Sequence, residues 1–182
     1  YLSLKEKVTE VALPLYAGAE DGINLIANQR HFSNIATNTK ADTSYKLIQD
    51  ITLNNHTSFE FNAVFDGDNK TIHLDNLTAS IFSVNKGTVK NVKFDGNAVL
   101  TEYECGIIAG NNQGTIANCE NRAAAEIGNS RGGGLVGYNQ GGTLNGLRNY
   151  GEITLTKSTT GGICGYYKEK ISFCRHYFWN SQ

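Results

Sequence analysis

Among its 182 residues the sequence has one proline, Pro14, and no methionine. Its 20 glycines follow no G-X-Y period and come without excess proline, which excludes collagen and a proline-rich linker. An excess of one charge is also missing: 16 basic residues meet 17 acidic ones, and the basic residues are scattered. A nucleic-acid partner is therefore not expected. No apolar run approaches the roughly 20 residues of a spanning helix, so this segment is not expected to insert in a membrane. The four cysteines (Cys105, Cys119, Cys164, Cys174) form no Cys-x-x-Cys, and there is no clustered histidine pair. Neither a zinc site nor a His-Glu-x-x-His peptidase motif is present. The densest glycine run, Arg131-Gly-Gly-Gly134, leads into Leu135 and Val136, without the Lys-Ser/Thr of a phosphate loop. No metal and no cofactor is expected.

What the chain does have is order. It is 40% hydrophobic and 10% aromatic, too apolar for disorder. It holds 21 asparagines, and 15 of its 20 glycines follow residue 100. Those glycines recur in Gly106-Ile-Ile-Ala-Gly110, Gly133-Gly-Leu-Val-Gly137 and Gly161-Gly-Ile-Cys-Gly165, whose final glycines keep an almost constant spacing. Other positions keep the same register: Val89, Ile116, Leu144 and Ile171; Val92, Cys119, Leu147 and Cys174; Ala98, Ala125 and Ile153; Leu100, Ile127 and Leu155. One extra glycine at Gly141-Gly142 accounts for the single longer step between Gly137 and Gly165.

Each repeat reads as three short strands separated by Gly or Asn. A unit of that size cannot bury its own apolar face, but stacked units can, each strand pairing with its equivalent about 4.8 Å away. The expected fold is therefore all-β: a right-handed parallel β-helix with about 27 residues per coil. Corners would use Gly and Asn because both tolerate positive φ. Asn-x-Gly recurs at Asn85, Asn112 and Asn139, and Asn121 and Asn149 form a second column. Stacked amides of that kind can bond along the axis.

Upstream the pattern is weaker. Residues 1–22 read as an extended lead-in or linker, and 23–182 as the capped β-helix. Ile23 to Ile26 is a candidate strand. Asn28 is a candidate cap of a short helix through about Asn38 that buries Phe32 and Ile35 and covers the open strand edges. Tyr45 to Leu53 alternates as a first coil, and Phe65-Asp-Gly67 echoes Phe94-Asp-Gly96. The start at Tyr1, without a leader, reads as a fragment of a larger protein whose other domains are natural partners.

Gly133-Gly-Leu-Val-Gly-Tyr-Asn139 and its relatives at 106–112 and 161–167 resemble the GLUG motif of bacterial surface and secreted proteins. Those include filamentous-haemagglutinin-like adhesins and the non-catalytic N-terminal region of immunoglobulin-A1-specific metallopeptidases. Tyr45 to Leu53, Gly87-Thr-Val-Lys-Asn-Val92 and Tyr177-Phe-Trp-Asn180 resemble other parts of such domains. The resemblance implies a secreted or cell-surface bacterial protein and assigns no catalytic residue to this region.

Candidate sites follow. Tyr138 and Tyr166 come directly after the motif's last glycine, with Tyr167 beside them, and should stack on one rim. If Leu135 and Gly137 face inward, Tyr138 faces out, and the ladder would suit a host protein or glycan. A catalytic site would need clustered acids; the best cluster is Asp66, Asp68 and Asp95, with Asp66 and Asp95 expected to stack, although Asp-Gly is also ordinary turn chemistry. Glu102, Glu104 and Glu126 are dispersed, and His31, His56, His73 and His176 read as structural or solvated. Cys119 and Cys174 share a column with Leu147 between them, too far apart for a disulfide, so four free thiols are expected. The expected role is a non-catalytic rigid stalk or adhesin-like binding module. The alternatives are a substrate-engaging accessory domain of an immunoglobulin A1 metallopeptidase and a carbohydrate-active β-helix enzyme.

Overall fold

A computed structural model describes residues 12–129, 131–156, 160–168 and 174–176. The regular structure of these residues is mostly β, with one helix at Gln29–Asn34 that runs into a 3₁₀ turn at Ile35–Thr37. From Ser44 onward the chain visits its sheets in a cyclic order and lays each strand parallel to its equivalent in the preceding pass. The first sheet holds Ser44–Leu47, Val64–Asp66, Thr88–Lys90, Thr115–Ala117 and Thr143–Asn145. The second includes Ile51–Asn54, Thr71–Leu77 and Lys93–Leu100, and the third Phe59–Phe61, Phe82–Asn85, Ala109–Asn112, Val136–Asn139 and Cys164–Tyr167.

The step between stacked partners grows along the chain. Early on, Ser44 pairs with Val64, and Val64 with Thr88. Later, Ala109 pairs with Val136, and Val136 with Cys164, so each late step takes up more chain than either early one. Three strands do not account for a late pass. It carries a fourth, at Glu104–Cys105, Arg131–Gly133 and Thr160–Gly161, which form a sheet of their own. That added strand and its turns explain why late passes are longer than early ones.

The buried columns are those of the repeat. Tyr45, Phe65, Val89, Ile116 and Leu144 lie opposite one another in turn and are all buried. Each such side chain contributes about 1.5–3 kcal/mol relative to exposure. The early passes are filled with aromatics: Phe61 stacks on Phe82 at 4.6 Å. One column changes character. Ile72 and Phe94 are followed by Asn121 and Asn149. There the eight-residue strand Lys93–Leu100 gives way to two short strands, Glu120–Asn121 and Ala124–Ile127. Asn121 turns the chain between them, accepting from Ala123 N–H at 2.9 Å and donating to its carbonyl at 3.0 Å.

The helix forms where its cap predicts, with the Asn28 side chain accepting from His31 N–H at 2.9 Å. It fills the end of the stack: Phe32 is buried edge-on to Phe65 at 5.4 Å, beside Phe59, Phe82 and His56. The residues before it are more structured than a plain lead-in. Ala19–Glu20 pairs antiparallel with Ile23–Ile26 across Asp21 (φ 49°) and Gly22 (φ 80°). Two positive-φ residues in an Asp-Gly turn are the favoured two-residue hairpin connection. Tyr16 then reaches Tyr45, its hydroxyl 3.3 Å from that of Tyr45.

Glycine and asparagine divide the corner work. Among the described residues beyond 100, the positive-φ glycines are Gly141 and Gly146. Asparagine takes other left-handed corners, as at Asn69, Asn91 and Asn118, with φ of 60°, 54° and 54°. Most of the late glycines serve close approach instead: a Cβ on Gly106 would lie 2.5 Å from Val136 N, and one on Gly137 2.7 Å from Gly110 O.

Candidate binding face

Tyr138 and Tyr166 lie opposite each other on neighbouring strands, their rings 5.3 Å apart and tilted by 50°. Their stacking follows the register. Their exposure does not: Tyr166 is 47% exposed but Tyr138 only 6%. The expected exposure of Tyr138 is corrected because its ring is covered. Tyr166 packs on it, and Arg131 reaches over from the adjacent fourth sheet, placing Cζ 4.9 Å from the Tyr138 and Tyr166 centroids and 5.3 Å from that of Tyr103.

Arg131 is fixed at both ends. Its strand lies beside Glu104, and its Nη1 donates to Glu104 Oε1 at 2.8 Å. That bond to Glu104 is the main reason its pKa is raised above the ordinary arginine value. Glu104 Oε2 accepts from Asn111 Nδ2 at 3.1 Å, and the same amide donates to Gln140 Oε1 at 2.9 Å. Asn111 sits one strand before Tyr138 in the same column, with its Oδ1 buried and unpartnered. The result is a guanidinium held among three rings, rimmed by Tyr103 at 58% and Tyr166 at 47% exposure.

Tyr167, 60% exposed, belongs to another column. It lies opposite Asn139, at the end of the buried ladder of Asn85, Asn112 and Asn139. Tyr103 escapes a reading of the sequence because it lies outside the repeat motif, and Glu104 reads there only as one of several dispersed acids. The arginine at 131 was visible only as the head of a glycine run. Exposed aromatic-plus-arginine clusters are common anchors in recognition surfaces.

The other candidates separate. Asp66 lies opposite Lys46 and Lys90 in the first sheet, whereas Asp95 lies opposite His73 in the second. They do not stack, because the echo of Phe-Asp-Gly crosses from one sheet to another. Burial pushes the Asp66 carboxyl up, but hydrogen bonds from Asp68 N–H, Asn91 and Lys90 outweigh it and hold the pKa below its usual value. Asp95 Oδ1 is 2.5 Å from His73 Nδ1. His56 is enclosed by Phe32 and Phe59, its Nε2 2.9 Å from Ile81 O and its Nδ1 unpartnered. His31 packs into the helix start, with Nδ1 accepting from Ala27 N–H at 3.2 Å. The His176 side chain lies outside the described residues. Among the described residues no group of three or more His, Cys, Asp or Glu is placed to hold a metal.

Cys105, Cys119 and Cys164 are buried thiols outside any disulfide. Burial pushes the Cys119 thiol up to about 12 and those of Cys105 and Cys164 up to about 11. The column of Val92, Cys119, Leu147 and Cys174 is in place, each following strand bonding the one before through Glu120, Arg148 and Arg175 N–H.

No protein-family model matches the sequence, and no curated protein matches it. Among solved structures the chain is similar to that of a candidate immunoglobulin A1 protease from Bacteroides ovatus. The two are 19% identical, with a TM-score of 0.59 over 89% of this chain and 70% of that one. At that identity the likeness is one of fold.

Proposed function

We propose that the stacked passes form a right-handed parallel β-helix of the GLUG-motif kind, with about 27 residues per coil in its later part. It serves as a non-catalytic, rigid binding module of a bacterial secreted or surface protein. The observation that carries the reading is Arg131, locked by Glu104 among Tyr103, Tyr138 and Tyr166 on an otherwise regular wall. A preorganised, partly exposed guanidinium and flat rings suit a host protein or glycan, because little side-chain entropy is lost on contact. The separation of Asp66 from Asp95, each engaged by a basic neighbour, supports the non-catalytic role.

A second reading is favoured by the Bacteroides ovatus likeness: an accessory domain that helps an immunoglobulin A1 protease engage its substrate. Arrays of host glycans and mucosal proteins, immunoglobulin A1 included, test both. Tyr166→Ala and Tyr103→Ala are expected to weaken any ligand found by about tenfold or more each. Binding unchanged in both variants would overturn the aromatic face. Capture of immunoglobulin A1 alone would favour the accessory domain over the general adhesin.

A further inference from the structure

A second feature lies where the first and second sheets meet, and it does not rest on the reading above. The corner between them is a column of left-handed residues, Asn69, Asn91, Asn118 and Gly146. Gly146 (φ 66°) takes the left-handed corner that asparagine takes in the earlier passes. Beside this column runs an open cleft of about 290 Å³, bordered by Lys93, Glu120 and Arg148.

The charges along the cleft are unbalanced. Lys93 lies opposite Glu120, Glu120 opposite Arg148, and Arg148 opposite Arg175. Nearby acids are already answered: Asp66 by Lys90, Asp68 by Lys46 and Lys70, and Glu120 by Arg122 at 2.6 Å. Lys93, Arg148 and Arg175 are exposed and make no ion pair among the described residues. Two arginines directly opposite on adjacent strands repel each other. An arrangement of that kind is relieved by an anion.

We infer that this corner cleft binds an acidic polysaccharide, its carboxylates or sulfates on Lys93, Arg148 and Arg175 and its hydroxyls on the asparagine column. Lys93 and Arg148 are two strands apart, about 9.6 Å by strand spacing, and Glu120 stands between them. A chain with one acid group per disaccharide can place charge on both and set a hydroxyl-bearing sugar at Glu120. A nucleic acid, with a phosphate at every nucleotide, would bring one against that carboxylate. The chain's overall charge of −1 means that attraction of a polyanion must come from this face and not from the whole molecule.

The test is titration of the protein with hyaluronan oligosaccharides, with neutral dextran and a single-stranded oligonucleotide as comparisons, at about 0.05 M and about 0.5 M salt. Hyaluronan is expected to bind at low salt and dextran not at all. Arg148→Glu with Arg175→Glu should weaken hyaluronan at least about tenfold. Lys40→Glu with Lys86→Glu, the same charge change elsewhere, should leave it unchanged. Absence of hyaluronan binding, equal loss in both double variants, or an oligonucleotide bound as tightly as hyaluronan would each overturn the inference. All four side chains are on the surface, and circular dichroism verifies that the variants are folded.

Discussion

Asn85 donates its side-chain amide to Asn112 Oδ1 at 2.7 Å, one repeat further on, in a fully buried position. Asn112 repeats the act on Asn139 Oδ1 at 2.7 Å, and Asn139 closes the ladder on Gly142 O at 2.7 Å. The middle amide is bonded to another side-chain amide on each side.

Asn112→Ala leaves the Asn139 carbonyl without its partner in the core, and the Asn85 amide with only Gly87 O and Thr115 O, both at 3.4 Å. A buried unsatisfied group costs about 1–3 kcal/mol, and a loss in that range is expected by urea denaturation. Gln113→Ala, exposed beside it, should change stability by less than about 0.5 kcal/mol.

Two glycines separate space from backbone conformation. At Gly141 (φ 78°) a Cβ would meet nothing within 4 Å, so Gly141→Ala carries only conformational strain, about 1–2 kcal/mol. At Gly106 a Cβ would press on the Val136 and Leu135 backbone. Gly106→Ala is expected to cost more than Gly141→Ala, roughly 3 kcal/mol, with a lower midpoint in a thermal melt.

The helical plug carries its own prediction. Phe32→Ala removes the ring enclosed by Phe59, Phe65 and Phe82, and a loss of about 3–5 kcal/mol is expected. Ser33→Ala, one residue away and exposed, should be close to neutral in the same denaturation.

Burial lowers the pKa of His56 below 6.5, with the hydrogen bond to Ile81 opposing. The unfolded chain therefore binds more protons than the folded one below that pH. Stability is fully present above 6.5 and falls as pH drops from there toward the folded pKa. His31, lowered by burial and by Arg30, acts in the same direction. The urea midpoint should fall between about pH 7.5 and about pH 5.5, and His56→Gln should flatten that decline.

The thiols answer to burial. With Cys105, Cys119 and Cys164 pushed to about 11, 12 and 11, an aromatic disulfide reagent at about pH 8 should leave these three unmodified in the folded protein. The same reagent in denaturant should count four thiols.

Much of the fold was legible because a repeat states which residue lies on which. Ile116 over Val89, the Asn85–Asn112–Asn139 ladder and the capping role of Asn28 follow from spacing and side-chain chemistry alone. The hairpin at Asp21-Gly22 was equally written in its turn residues, but the alternation of residues 1–22 is too weak to announce it. The fourth strand was hidden because Glu104–Cys105 is so short and flanked by a motif that reads as a corner.

Stacking is thus a property of the chain's period, and side chains one period apart meet whatever the cross-section. Lateral neighbours are different. Whether Tyr138 is covered depends on Arg131 and its partner Glu104, which sit on another sheet and reach the tyrosine only once the pass has closed. Asp66 and Asp95 share a motif yet face different sheets, because early passes are shorter than late ones. Amino-acid order dictated the ladder along the stack. The circumference of each pass, set by how its corners pack, decided which side chains meet across it.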